Sequence, residues 1–202
     1  MEPLVRVRSV AVPLLLANVD TDVITPMRRL TGSTAHPLHH YTFEALRYLG
    51  GDGDTGAPDP TFPLNDPAYA GAQIMLTGPN FGCGSSRETA PMAIAALGFR
   101  VLVGSSFGDI FFNNCFQQGL LPIVVPSEVV ARLAGELTVD LEEQTITAAD
   151  GAVVTFDINP LRKACLLEGT DLVGLTLGLA SAVDEWQARD RVARPWAWDT
   201  VR

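Results

Sequence analysis

Asn80-Phe81-Gly82-Cys83-Gly84-Ser85-Ser86-Arg87-Glu88 places two glycines, two hydroxyls and a guanidinium within nine residues. Gly82 and Gly84 let the backbone turn sharply while its N–H groups stay open to a ligand. Ser85 with Glu88 three residues later fits the capping box, so the sequence predicts a helix that begins at this corner and continues from Arg87 to Leu97. A helix N-terminus carries partial positive charge and unpaired donors. Together with Arg87 it is suited to a carboxylate held by charge-assisted hydrogen bonds. An ordinary helix cap would account for one serine. It leaves the second serine unexplained and places Arg87 where the macrodipole disfavours a cation. The third glycine of a dinucleotide fingerprint is missing, no Gly-Lys-Ser/Thr follows, and no Gly-x-Ser-x-Gly elbow can be drawn. A carboxylic acid is the ligand these residues favour.

Outward from the corner, Val5 to Leu16 is rich in β-branched and apolar residues and reads as a strand or hairpin start. Glycines at 50, 51 and 53 and prolines at 58, 60, 63 and 67 mark a long loop over about 30–67, around a short helix from His39 to Leu49. Gln73 to Thr77 reads as a strand. The following helix should bury its Ala, Met and Ile side chains, and Gly98 stops it. Val101 to Val103 is a strand, Phe107 to Gln118 a helix, Ile123 to Val125 a strand, and this alternation implies parallel β-α-β units. Ser127 to Leu133 reads as a short helix. A β-meander is expected over about 137–158 with Asp150-Gly151 in a hairpin turn, then helices at Pro160 to Glu168 and Leu179 to Val192. The expectation is one α/β domain over 1–202.

A second cluster of polar residues lies at Asn18-Val19-Asp20-Thr21-Asp22-Val23-Ile24-Thr25-Pro26, followed by Arg28-Arg29. Asp20 and Asp22 suit turn-stabilising bonds to nearby backbone; two carboxylates without further oxygen ligands do not make a calcium site. The arginines are either substrate contacts or solvated surface charges.

These blocks, with Ser106-Phe107-Gly108-Asp109-Ile110-Phe111, Leu120-Leu121-Pro122 and Gly174-Leu175-Thr176-Leu177, resemble in order and spacing the small-subunit family of 3-isopropylmalate dehydratase, in the aconitase superfamily. The likeness runs from about residue 10 to 190. It implies a swivelling β/β/α domain, a mixed sheet with flanking helices. By the same resemblance Ser85 is the base that moves a proton to and from carbon, while Ser86 and Arg87 bind the substrate carboxylate. Arg28, two residues past Pro26, is the matching substrate contact in preference to Arg29. Gly82, Gly84, Glu88, Asp20 and Asp22 support turn and helix cap, and the segment Thr31 to Pro37 is a mobile lid that selects the substrate side chain. Two positions depart from the family pattern: Thr89 stands where histidine is usual, and Thr25 replaces an isoleucine. The substrate the family implies is 2-isopropylmalate, isomerised through 2-isopropylmaleate in leucine biosynthesis. The departures leave open a methylmalate, a dimethylmalate or homoaconitate, and the corner alone would also suit a carboxylate-binding module without turnover.

Dehydration needs an acid to help hydroxide leave. Cys83, Cys115 and Cys165 are far apart and contain no Cys-x-x-Cys, so this chain is expected to bind no cofactor. The resemblance places a 4Fe-4S cluster on a partner large subunit, with a small dicarboxylic hydroxy acid as substrate. A zinc site from His36, His39, His40 and Glu44 can be drawn, but it lacks His-Glu-x-x-His order. The net charge of −9 over 202 residues argues against a nucleic-acid partner, and no apolar run has membrane length. Unpatterned cysteines and a start without signal-peptide features suit the cytoplasm.

Overall fold

The computed structural model describes residues 1–31 and 34–198. Its organising element is β1 (Arg6–Leu14), which pairs in parallel with β2 (Ile74–Thr77) on one side and antiparallel with β5 (Glu136–Asp140) on the other. Adding β3 (Val101–Gly104), β4 (Leu121–Val124), β6 (Thr145–Ala148) and β7 (Val153–Thr155) gives a seven-stranded mixed sheet in the order β4-β3-β2-β1-β5-β6-β7. The strands β1 to β4 are mutually parallel, as the alternation of strand and helix required. Strands β5 to β7 form the expected meander, with Gly151 at φ 85° in its second turn.

Strand periodicity explains why the parallel half is apolar throughout. Ile74, Leu76, Val101, Val103, Leu121 and Ile123 face one core, together with Val7, Leu137, Val139 and Leu166. Their neighbours Met75 and Leu102 face a second core with Val12, Leu14, Phe43, Phe81, Ile94 and Phe111. A strand covered on both faces needs no polar alternation. The helices are α1 (Thr21–Ile24), α2 (Glu44–Arg47), α3 (Thr89–Ala96), α4 (Asp109–Gln117), α5 (Ser127–Val130), α6 (Pro160–Glu168), α7 (Leu172–Leu177) and α8 (Ala180–Ala193). Among the described residues no helix is long and apolar enough to cross a membrane.

Three expectations need correction. The helix after the glycine turn starts at Thr89 rather than Arg87, and its Met92 is 45% exposed while Ala90, Ala93 and Ile94 are buried. The helix read over His39 to Leu49 is two separate turns, a 3₁₀ turn at Leu38–Tyr41 and α2, with Phe43 between them at φ 59°. Tyr41, Phe43 and Glu44 are all fully buried, and one continuous helix cannot turn both i+2 and i+3 inward. A left-handed residue costs about 1–2 kcal/mol, which burial of a phenylalanine, about 1.5–3 kcal/mol, offsets. Finally, α7 was not foreseen. Asp171 caps it by accepting from Gly174 N–H at 2.7 Å.

The loop over 30–67 is held by one buried carboxylate. Glu44 is fully buried and accepts from Arg28 Nη2 at 2.8 Å, from Gly53 N–H at 3.0 Å and from the Arg29 guanidinium. Arg29 also pairs with Asp52 at 2.9 Å and Asp54 at 2.6 Å, and it lies 4.1 Å from the centre of the Tyr41 ring. Burial by itself would raise the Glu44 pKa. Hydrogen bonds from Arg29, the Gly53 amide and Arg28 outweigh it and hold the carboxyl at about 2, against an ordinary value of 4.5. A depressed folded-state pKa gives stability that is full above pH 4.5 and is lost as pH falls towards 2. Glu44→Gln is therefore expected to cost about 3 kcal/mol at pH 7, because Arg29 loses its buried partner. The gap to the parent should shrink by more than half at pH 3. Urea unfolding of both proteins at the two pH values checks this, and an unchanged gap would remove Glu44 as the acid-sensitive anchor.

Candidate active site

Three loops leave the C-terminal ends of β1, β2 and β3, the edge at which open parallel sheets bind ligands. Backbone bonds stitch them together: Asn18 N–H donates to Pro79 C=O at 2.9 Å, Gly82 N–H to Val19 C=O at 2.7 Å and Thr21 N–H to Cys83 C=O at 2.9 Å. On the other side Phe81 N–H reaches Ser106 C=O at 3.2 Å and Gly108 N–H reaches Phe81 C=O at 2.9 Å. Asn80 adds side-chain bonds, its amide donating to Asn18 Oδ1 at 2.8 Å and its backbone N–H to Ser106 Oγ at 2.8 Å. Gly82 sits at φ 72°, and a Cβ there would overlap the ring of Phe111. Gly84, at φ 96°, has more room: the nearest atom to an added Cβ is Asp20 Cβ at 3.4 Å.

Beyond this turn Ser85 and Ser86 are both exposed. The carbonyl of Ser85 is pinned from two directions, by Thr21 Oγ1–H at 3.1 Å and Arg87 N–H at 2.9 Å. The N–H groups of Gly84, Ser85 and Ser86 have no acceptor among the described residues. The capping box is not formed. Glu88 occupies the cap position of α3 through its backbone alone and makes no side-chain cap bond, so Ser85 stands clear of the helix and Glu88 is not a cap ligand. Pro91 supplies the reason. A proline is accommodated in the first turn of a helix and not in its interior, so a helix containing Pro91 cannot begin at Ser85.

Arg87 is only 15% exposed along its side chain. Its Nη1 donates to Asp22 Oδ1 at 2.6 Å and to Thr25 C=O at 3.2 Å, while its Nε is buried without a partner among the described residues. The hydrogen bond from Arg87, seconded by Met27 N–H at 3.0 Å, holds Asp22 below the usual carboxylate range. Asp20 caps α1, accepting from Asp22 N–H at 2.9 Å and Val23 N–H at 2.7 Å, which is the turn-stabilising role read for it. Arg28 and Arg29 separate cleanly: the Arg28 side chain is 58% exposed and that of Arg29 only 11%. A cavity of about 320 Å³ is lined by Asp22 and Arg28, both from the 18–29 cluster, and it meets the glycine-serine corner only through the ion pair of Asp22 with Arg87. A larger cavity of about 390 Å³, between α4, α6 and the start of α7, contains none of these residues.

The two positions that depart from the family pattern both carry buried hydroxyls without partners among the described residues, Thr25 Oγ1 and Thr89 Oγ1, and Arg87 Nε is likewise unpartnered. The substitutions were legible in the sequence, whereas the burial of both hydroxyls without partners was not. The histidines contribute to loop packing: His36 and His40 rings lie 4.2 Å apart, and His40 Nε2 is 2.8 Å from Gly53 C=O. Among the described residues no three His, Cys, Asp or Glu side chains converge to hold a metal. Cys83 is half-buried in the turn, while burial of Cys115 and Cys165 pushes their thiols up. The lid expected over Thr31 to Pro37 includes Gly32 and Ser33, which lie outside the described residues.

A mixed sheet carrying this glycine-serine-arginine corner defines a domain of the aconitase C-terminal class, and residues 1–128 match the family described as the aconitase C-terminal domain. Residues 128–160 match a second family, described as LeuD_N. The chain belongs to the family of 3-isopropylmalate dehydratase small subunits. The small subunit of that name from Afipia carboxidovorans is 47% identical over 97% of this chain and all of its own length. Its counterpart from Rhodospirillum centenum is 45% identical over 98% of this chain and 99% of its own. The fold matches a crystal structure of 3-isopropylmalate dehydratase (leuD) from Methanocaldococcus jannaschii with a TM-score of 0.65, at 24% identity, over 89% of this chain and 99% of that one.

The two glycines of the corner should respond differently to a methyl group. Gly82→Ala must displace Phe111 in addition to its backbone strain, and is expected to lose more than about 3 kcal/mol. Gly84→Ala meets only strain, about 1–2 kcal/mol. Urea unfolding of the two variants ranks them, and equal losses would show that Phe111 yields freely.

Proposed function

We propose that this chain is the small subunit of a hydro-lyase that converts 2-isopropylmalate to 3-isopropylmalate through 2-isopropylmaleate, and that Ser85, Ser86, Arg87 and Arg28 are its contribution to the active site. Family membership supports the reaction. The observation that supports the residue roles is an exposed Ser85 on a corner with three unengaged N–H groups, two residues from Arg87.

The chemistry follows from what these groups can do. A serine hydroxyl is a very weak acid, and its alkoxide survives only where donors and positive charge surround it. The free N–H groups of the turn and the Arg87 guanidinium supply that surrounding. Ser85 Oγ takes the proton from the carbon beside a carboxylate and returns it at the neighbouring carbon. Ser86 and Arg87 hold that carboxylate; Arg87, already gripped on Nη1 by Asp22, is aligned before the substrate arrives. Arg28 holds the second carboxylate from the cavity that it lines with Asp22. The described cysteines of this chain do not converge as cluster ligands. A 4Fe-4S cluster on the large subunit would supply the electrophile for the departing hydroxide.

Ser85→Ala is expected to leave thermal unfolding and assembly with the large subunit unchanged while lowering kcat by about 10²-fold to 10⁴-fold. Ultraviolet absorbance of the unsaturated intermediate, with the anaerobically reconstituted complex and a panel of substituted malates, reads both the loss and the preferred substrate. Undiminished turnover in Ser85→Ala would take the proton transfer away from this residue. Preference for a methylmalate, a dimethylmalate or homoaconitate would make this the small subunit of a related dehydratase, and binding without turnover in the complete complex would leave a carboxylate-binding module.

A further inference from the structure

Resting on that reading, we propose that the cavity beside Arg28 receives the apolar branch of the substituted malate and that Ala45 sets the branch size accepted. The cavity holds about 320 Å³, within the range of small-molecule sites. Its charged lining residues are Arg28 and Asp22, and Asp22 is bound to Arg87, so a diacid held by Arg28 and Arg87 would place its branch next to this cavity. Its walls are Val23, Pro26, Met27 and Ala45. A second carboxylate gains nothing from such walls, whereas an aliphatic group leaves water on entering them.

The width of the cavity is set by atoms that two small residues lack. Ala45 lies in the first turn of α2 and faces Gly51, where an added Cβ would stand 3.6 Å from Ala45 Cα. Any larger side chain at position 45 therefore takes space from the guest. Met27, 46% exposed, can follow the guest's shape because its thioether chain is unbranched. The described residues of Thr31 to Pro37, the segment to which the resemblance gave side-chain selection, are not among those lining this cavity.

The experiment uses the complex of this chain with its large subunit and compares malate, 2-methylmalate and 2-isopropylmalate by calorimetric dissociation constants and by kcat/KM. Ala45→Phe is expected to weaken isopropylmalate about 10-fold to 100-fold while changing malate less than about threefold, the selectivity that a few methylenes in an apolar pocket provide. Ala45→Val, a milder change, should shift the same ratio in the same direction and stands in if the phenylalanine variant fails to assemble. Met27→Ala should weaken isopropylmalate about threefold to tenfold and leave malate unchanged. A parallel loss for all three ligands, or an unchanged ratio in every variant, would overturn the pocket. Selective binding by the parent complex without turnover would overturn the dehydratase reading and leave the pocket standing.

Discussion

Everything at the candidate site depends on the approach of three backbones where Gly82 sits. The turn after β2 donates to the loop after β1 through Gly82 N–H and is bound from the loop after β3 through Gly108 N–H to Phe81 C=O. A side chain at Gly82 would enter the Phe111 ring, so the stitching requires a residue without Cβ at a positive φ. Phe111 in turn packs with Phe81 and Phe107, their ring centres 5.6 and 6.3 Å away, inside the same core that receives Phe43 and Ile94. The position of the serines is therefore a packing result. Moving the phenylalanine cluster would move the corner.

Electrostatics then acts on a scaffold already in place. Two ion networks meet at the cavity lined by Asp22 and Arg28, and they differ in what surrounds them. Glu44 is enclosed and gathers three donors, which makes it an anchor whose loss takes from Arg29 its fully buried partner. The Asp22 to Arg87 pair is half open, with Asp22 59% exposed, and such a pair contributes little to stability. Its value is orientation. Asp22 Oδ1 is itself held by Met27 N–H, so a short backbone-to-side-chain chain fixes Arg87 Nη1, while Nη2 has no partner among the described residues.

Much of this was legible because strand and turn signals are local. The apolar run at 101–103, the alternation around it and Asp150-Gly151 depend on neighbours in sequence, and they land within a residue or two of the elements found. The nine-residue corner was legible as a candidate site because glycines, serines and arginine have few other reasons to be adjacent. What escaped was competition between signals. Ser85 and Glu88 satisfied one helix-start rule while Pro91, three residues further on, obeyed a stronger steric one. At 39–49 helical propensity lost to the demand of Tyr41, Phe43 and Glu44 for burial, which depends on the phenylalanine cluster and Arg29, partners distant in sequence. The pairing of Arg29 with Glu44, Asp52 and Asp54 had no sequence signal beyond charge, because its geometry is created by the loop that it closes.

The openness of the corner is itself informative about where catalytic strength would arise. Ser85 and Ser86 face solvent, and in water a guanidinium beside a carboxylate at about 4 Å gains only about 1 kcal/mol. Supporting an alkoxide demands far more than that. The same donors become several times stronger when water is excluded, since the effective dielectric falls while their positions stay fixed. On the proposed reading the small subunit therefore brings geometry, and the strength of that geometry is realised when a second chain covers it. A covering surface must leave Arg28 and Arg87 Nη2 accessible to a diacid, so it has to close over the serines from outside the sheet edge without displacing Asp22.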